Sequence, residues 1–437
     1  MNNATTTESK LGGGQAWINW LLATAYVVFV FTLQTGYAIT NVSMSEDLGL
    51  SLTQVGFIGS IYTWAFALAQ FTSGSIMDRL GSRWVIPMSS AVVTVGAFLF
   101  ASATGPVQLT IAQVLMAVGA SFGFVGAGFV GGQWFAPLKY GFMFALVQFV
   151  ASLSAILGQN AIGALIQSQP WSKIIYGMAY SGLALTVVMF LVMRDPQRAD
   201  LSERAWSGVK NFLNDLFEAL GQCMAIRDTW INAVIGGATF GTMLSLGVIW
   251  GPRYLIAAGM EQGAAYAVSA TMWLGLAVSA PLFAKWSEWQ QSRKIPMFAG
   301  CLAQLIAIIV ILARPEMSLN EAYFWFFIWG FMSGGSMLNF PIGADLVPVS
   351  LIGTSAAIVN AIQFIIGGIM MAVPGRVLSG TGLIARVQER VGQLEGPPTG
   401  TVGDYQWALA VIPITLFLAC LLFLALSETY PKEQSKS

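Results

Sequence analysis

Apolar runs about as long as a bilayer is thick repeat along most of the chain, parted by short polar breaks. A helix that crosses a membrane needs about 20 mostly apolar residues. By that rule the sequence predicts helices over residues 17–40, 53–77, 84–103, 107–131, 139–166 and 172–193. A second set follows over 228–255, 262–284, 295–313, 319–342, 350–374 and 404–426. Between the two sets of six lies the most charged stretch, residues 194–227. Within it Trp206, Val209, Phe212, Leu213, Leu216, Phe217 and Leu220 recur at three- and four-residue steps, opposite Lys210, Asn214, Asp215 and Glu218. That is the period of an amphipathic helix. Such a helix either lies along the membrane surface or packs in water on a neighbouring loop. A second break, residues 375–404, is charged and punctuated by Gly396, Pro397, Pro398 and Gly400, and reads as a loop with at most one short helix.

The expected plan is an all-α membrane protein of twelve transmembrane helices in two pseudo-symmetric six-helix bundles. A cytoplasmic tail covers residues 1–16, the first bundle 17–193, a linker with its amphipathic helix 194–227, the second bundle 228–426, and a cytoplasmic tail 427–437. The first 15 residues are polar and lack the basic start and cleavage site of a signal peptide, so the first helix is read as retained. If both termini face the cytoplasm, most of the Lys and Arg residues fall on that side, as the positive-inside bias requires.

Composition narrows the function. The chain of 437 residues is 56% hydrophobic and 9% charged, against about 25% charged in soluble domains. Twenty basic and twenty acidic residues cancel, so nothing points to nucleic acid. Cys223, Cys301 and Cys420 are scattered and there is no histidine, which leaves no metal-ligand spacing and no imidazole proton shuttle. No nucleophile, metal cluster or phosphate-cradling loop stands out. The expectation is therefore neither an enzyme nor a cofactor protein.

Residues 74–83, Gly-Ser-Ile-Met-Asp-Arg-Leu-Gly-Ser-Arg, join the second and third apolar runs and read as a tight, charged, glycine-bounded turn. Gly74, Asp78 and Arg83 recur as Ala284, Glu288 and Arg293, each 210 positions on, after the second helix of the other half. Duplicated halves are a common transporter plan, with the binding site where the halves meet.

Through Gly74, Asp78, Arg79, Gly81 and Arg83 the chain resembles the major facilitator superfamily, over nearly its whole length. The resemblance implies two bundles that rock about a central cavity lined by helices one, four, seven and ten. It implies that Asp78 meets the N-terminal end of the eleventh helix near Gly353 and Thr354 and holds the cytoplasmic side shut, with Gly74 allowing close approach. The stretches 132–137, 157–159 and 250–255, together with Gly353, Thr354, Asn360, Asp404, Tyr405, Glu428 and Thr429, look like one bacterial branch of permeases for organic acids, amino acids and related nutrients. Proton-driven drug exporters of the superfamily carry an Arg in the fourth helix, where this chain has Gln113, and a Gly-Pro motif in the fifth, which residues 158–163 lack. Its organic-phosphate exchangers use an Arg in the first helix, whereas no charged residue lies between Trp17 and Ser45 here.

Polar side chains within the predicted spans are the candidate binding residues, because a bare amide in hydrocarbon is costly. They are Gln34 and Tyr37 (with Tyr26 on the same face) in the first span, Gln148 in the fifth, and Thr239 and Thr242 in the seventh. The tenth offers Trp329 and Asn339, and the eleventh Asn360 and Gln363. Hydroxyls in membrane helices are more often packing groups than ligand contacts, so the amides carry more weight. Arg253 either attracts a carboxylate at the outer mouth or snorkels to headgroups. Gating candidates are Gly74, Asp78, Arg79, Gly81, Arg83, Glu288, Arg293 and Asp345. No Asp, Glu or His is required at the bilayer centre, so proton loading there is disfavoured.

Together these features point to a monomeric, multi-pass transporter of the bacterial inner membrane, both termini inside. It moves a small organic nutrient, an amino acid or a carboxylate, by secondary active or facilitated alternating access. Efflux of an apolar or aromatic compound and a non-transporting receptor on the same fold are the alternatives.

Overall fold

The computed structural model describes residues 12–50, 52–196, 209–378 and 401–431. All regular structure among them is helical. The helices fall into stretches that match the twelve apolar runs. In the first half these are Gly14–Asp47, Leu52–Leu80, Ser82–Ala101, Pro106–Ala120 continued by Gly123–Trp134, Tyr140–Leu165, and Trp171–Val192. The second half has Arg227–Ser245 continued to Ala257, Gln262–Gln290, Lys294–Ala313, Leu319–Ser333 continued to Asp345, Ile352–Leu378, and Val402–Leu409 continued by Val411–Leu422. Nine helical stretches among the described residues are long and apolar enough to cross a bilayer.

The interruptions have local causes. In the fourth span the Tyr26 hydroxyl donates to the Gly119 carbonyl at 2.7 Å, drawing that oxygen sideways just before the break. In the seventh, Pro252 follows a π-helical turn, Leu246–Trp250. In the tenth, a 3-10 segment, Gly334–Leu338, precedes Pro341. In the twelfth, Pro413 lies just beyond the break at Ala410. A proline has no N–H for the carbonyl four residues back, so the ladder opens there.

The chain divides into two compact units. Unit 1 takes residues 1–147, 157–223 and 348–357; unit 2 takes 148–156, 224–347 and 358–437. The helix Val209–Met224 belongs to unit 1 up to Cys223, with Leu216, Leu220 and Cys223 buried and Leu213 and Phe217 exposed. Trp206 and most of the 375–404 loop lie outside the described residues, as do both predicted tails apart from residues 12–16 and 427–431.

Three sequence expectations are corrected. Residues 74–83 are not a turn: the second helix runs through Asp78 and Arg79 to Leu80, and the third starts at Ser82. The link is Gly81 alone, at φ 77°, a left-handed geometry that glycine adopts without strain. Likewise the eighth helix continues past 284 to Gln290 and ends on Gln291 at φ 49°, so Glu288 is a helical residue. The first helix similarly runs to Asp47, which accepts the Trp171 indole N–H at 3.0 Å.

Candidate functional site

In unit 1, Asp78 is 5% exposed and sits at the N-terminal end of the helix Ile352–Leu378. It accepts the backbone N–H of Gly353 at 2.9 Å, that of Thr354 at 2.7 Å and the Thr354 hydroxyl at 2.7 Å. The first amides of a helix have no partner within it and carry partial positive charge, so a carboxylate satisfies both needs. The approach depends on Gly74: a Cβ there would overlap the Gly353 carbonyl. Ser75 and Thr354 share a hydroxyl contact at 2.9 Å.

The neighbouring charges are engaged elsewhere in the unit. Arg79 donates Nη1 to the Asp215 carboxylate at 2.7 Å and Nη2 to the Asp215 carbonyl at 2.6 Å, tying the linker helix to the second span. Asp195, just past the sixth span, accepts the Ser82 N–H at 2.9 Å, the Ser82 hydroxyl at 2.7 Å and the Arg83 N–H at 3.0 Å. Asp195 thus caps the third helix. The Arg83 guanidinium lies 5.1 Å from the Trp84 ring centroid.

Unit 2 repeats part of this pattern. Glu428, past the twelfth span, accepts the Ser292 hydroxyl, the Arg293 N–H at 2.8 Å and the Lys294 N–H at 3.3 Å, capping the ninth helix. Burial works to raise its carboxyl pKa, but the hydrogen bonds from Ser292, Arg293, Tyr430 and Lys294 hold it below the ordinary glutamate value. Arg293 is 2% exposed, donates to Asp345 at 3.3 Å and lies 4.8 Å from the Tyr430 ring centroid. Glu288 is half-buried.

The binding candidates separate into two groups. In unit 1, Gln34 is exposed and lines a crevice with Tyr62 and Gln113, on a floor that includes Val30, Val93 and Met116. Gln113 is 3% exposed. Tyr37 packs edge-on against Phe100 at 6.0 Å, and Tyr26 is a buried strut. Tyr62 escaped the sequence reading because one tyrosine in an apolar run carries no distinguishing mark.

In unit 2, Asn339 and Gln363 come together at Gly236: a Cβ on that glycine would lie 2.7 Å from Asn339 Nδ2 and 3.0 Å from Gln363 Nε2. Asn232, not anticipated from sequence, donates Nδ2 to the Asn339 carbonyl at 2.8 Å. Its position one helical turn before Gly236 was the available signal. Thr239 and Thr242 instead donate to carbonyls of their own helix, those of Ile235 at 2.9 Å and Ala238 at 2.7 Å. Gln148 donates to Ser152 at 3.0 Å. Trp329 is fully buried and Asn360 nearly so. Arg253 is exposed, its guanidinium 5.6 Å from the Trp250 ring centroid. Among the described residues no three His, Cys, Asp or Glu side chains form a metal-binding group.

Residues 21–372 match the family described as Major Facilitator Superfamily. A probable galactarate/D-glucarate transporter of Bacillus subtilis (strain 168) is 25% identical over 394 residues, covering 82% of this chain and 86% of that protein. One of the same description from Escherichia coli (strain K12) is 22% identical over 403 residues, covering 83% and 87%. Among solved structures, the proton:xylose symporter XylE bound to 6-bromo-6-deoxy-D-glucose superposes with a TM-score of 0.68 at 13% identity, covering 95% of this chain and 96% of that one. That likeness shows the fold. With its membrane-length helices and a family match over most of its length, the chain belongs to the major facilitator superfamily of membrane transporters.

Proposed function

We propose that this transporter carries a small hydroxylated organic acid, of the sugar-acid class, across the bacterial cytoplasmic membrane by alternating access of its two halves. The observation that carries the reading is the similarity, over more than four-fifths of each chain, to proteins named for galactarate and D-glucarate. The chemistry of the polar groups supports it. Gln34, Tyr62 and Gln113 in unit 1, and Asn339 and Gln363 in unit 2, offer donors and acceptors suited to hydroxyls and carboxylate oxygens. None is charged, so specificity rests on hydrogen-bond geometry, and the substrate's charge is offset by a co-transported cation or by exchange. The contact of Asp78 with the eleventh helix serves as the cytoplasmic latch, opening once in each cycle. Both termini face the cytoplasm, in keeping with the bias of basic residues.

The test is uptake of radiolabelled D-glucarate and galactarate into proteoliposomes, with a neutral amino acid for comparison. Saturable uptake of a sugar acid, reduced in the Gln34→Ala and Gln113→Ala variants, is the expected result. Transport of the amino acid without either sugar acid overturns the substrate class. Reporter fusions at each terminus check the orientation.

A further inference from the structure

Three side-chain oxygens in unit 2, on Asn232, Ser336 and Asn339, are buried with no hydrogen-bond partner among the described residues. Asn232 Nδ2 faces the Asn339 carbonyl at 2.8 Å, and Asn339 Nδ2 faces the Ser336 carbonyl at 2.6 Å. Each amide nitrogen pointing at a carbonyl fixes which way round the group sits. The two Oδ1 atoms are therefore acceptors, and neither has a partner among the described residues; nor has the Ser336 hydroxyl oxygen. Asn232 and Asn339 are 0% exposed and Ser336 is 1% exposed. Buried acceptors are costly when bare, and the three residues that carry them are joined by two hydrogen bonds through their amide nitrogens and backbone carbonyls.

The backbone around them is irregular in the way that favours an ion. The tenth span breaks into a 3-10 segment, Gly334–Leu338, between Ser333 and Asn339. Interrupted helices in transporters expose carbonyls that coordinate cations. The Ser336 carbonyl already accepts both the backbone N–H and the side chain of Asn339, so the candidate ligands are the side-chain oxygens. Beside them Gln363 is 1% exposed, and its Nε2 is also unpartnered. No carbonyl pins that amide, so its Oε1 is free to turn inward. The bare Cα of Gly236 leaves the room in which the Asn339 and Gln363 amides meet.

Oxygen acceptors without a carboxylate suit a hard monovalent cation. A divalent ion would call for acidic ligands. We propose that Asn232, Ser336, Asn339 and Gln363 form a sodium site in unit 2. A sodium ion bound there supplies the positive charge that the uncharged polar groups lack. The proposal stands on these atoms and is independent of which solute is carried.

The experiment is thermal unfolding of the purified full-length protein in detergent, with NaCl titrated against choline chloride at constant ionic strength. A ligand that prefers the folded state raises the melting temperature by mass action. A saturable, sodium-dependent rise is expected. Gly236→Ala should weaken the apparent sodium affinity by roughly tenfold or more, since its methyl displaces the Asn339 amide, a movable side-chain end. Gln363→Leu, which removes one oxygen, should weaken it less. Identical melting in sodium and choline overturns the proposal and leaves water as the partner of these oxygens. A sodium response unchanged in both variants overturns the placement. This readout needs no substrate, so a failed sugar-acid assay leaves it intact, and a sodium-blind protein that transports D-glucarate sinks this site alone.

Discussion

The two charged helix junctions, residues 74–83 in unit 1 and 284–293 in unit 2, share a sequence pattern and one structural device, then part ways. Each is closed by a carboxylate from just beyond the last span of its half: Asp195 on Ser82 and Arg83, Glu428 on Ser292, Arg293 and Lys294. In the first copy the buried charge is an acid, Asp78, held by the amides of another helix. In the second it is a base, Arg293, paired with Asp345 and stacked on Tyr430. The shared part is helix capping, which any third span starting after a glycine or serine link can use. The unshared part requires close backbone approach, which Gly74 allows and Ala284 does not repeat. The second junction pairs two opposite charges, whereas the first holds one carboxylate by hydrogen bonds to a helix N-terminus over a close backbone contact.

The largest expected effect tests that difference. Gly74→Val forces the second helix off the Gly353 backbone, which no side-chain rotation can relieve. Overpacking of this kind costs about 1–3 kcal/mol, and more when backbone must move. Uptake should fall at least tenfold. Ala284→Gly, the reverse change in the other copy, should cost only about 0.5–1 kcal/mol in helix propensity with near-normal uptake. Equal losses in the two variants would remove the asymmetry.

Asp78→Asn comes next. It keeps the size of the side chain but removes the charge from three hydrogen bonds, two of them to helix N-terminal amides. Loss of a charge-assisted network at a site 5% exposed should cost about 2–4 kcal/mol of this contact. Cysteine labelling from the cytoplasmic side should rise. Glu288→Gln, at the half-buried counterpart, should change labelling little. Unaltered labelling in Asp78→Asn would reduce the contact to a structural cap.

How much of this could be read from the sequence depends on range. Helix positions were legible because bilayer thickness imposes a length on every apolar run. The breaks at Pro252, Pro341 and Pro413 were legible in principle, since each proline silences one ladder donor. The direction of Arg79 was not: its partner, Asp215, lies 136 residues away on a helix whose face alone was predictable. Nor was the meeting of Asn232 with Asn339, 107 residues apart, because one amide in an apolar run does not announce its partner. Thr239 and Thr242 look like ligand groups in sequence but are satisfied by their own helix, as hydroxyls in membranes commonly are.

The two caps should behave alike, and that is the sharpest test of what the junctions share. Asp195→Asn and Glu428→Gln each weaken an N-terminal cap, worth about 1 kcal/mol, and should lower thermal stability by similar small amounts. The pH response adds a signature for Glu428. Its folded pKa lies below the ordinary value, so its stabilisation is complete above the unfolded glutamate range, about pH 4.3. As pH falls through the folded value that contribution is lost, because the unfolded chain takes up the proton first. Glu428→Gln should therefore start less stable at neutral pH and lose less on acidification, its melting curve converging on that of the parent. A curve that stays parallel down to the acid limit would mean the carboxylate contributes shape and not charge. Smallest of all, Asp215→Ala removes an ion pair whose side chains are 24% and 45% exposed, worth under about 1 kcal/mol and screened by salt. If its effect at low salt exceeds that of either cap, the linker helix is a working part of the first junction, and the contrast with the second junction widens.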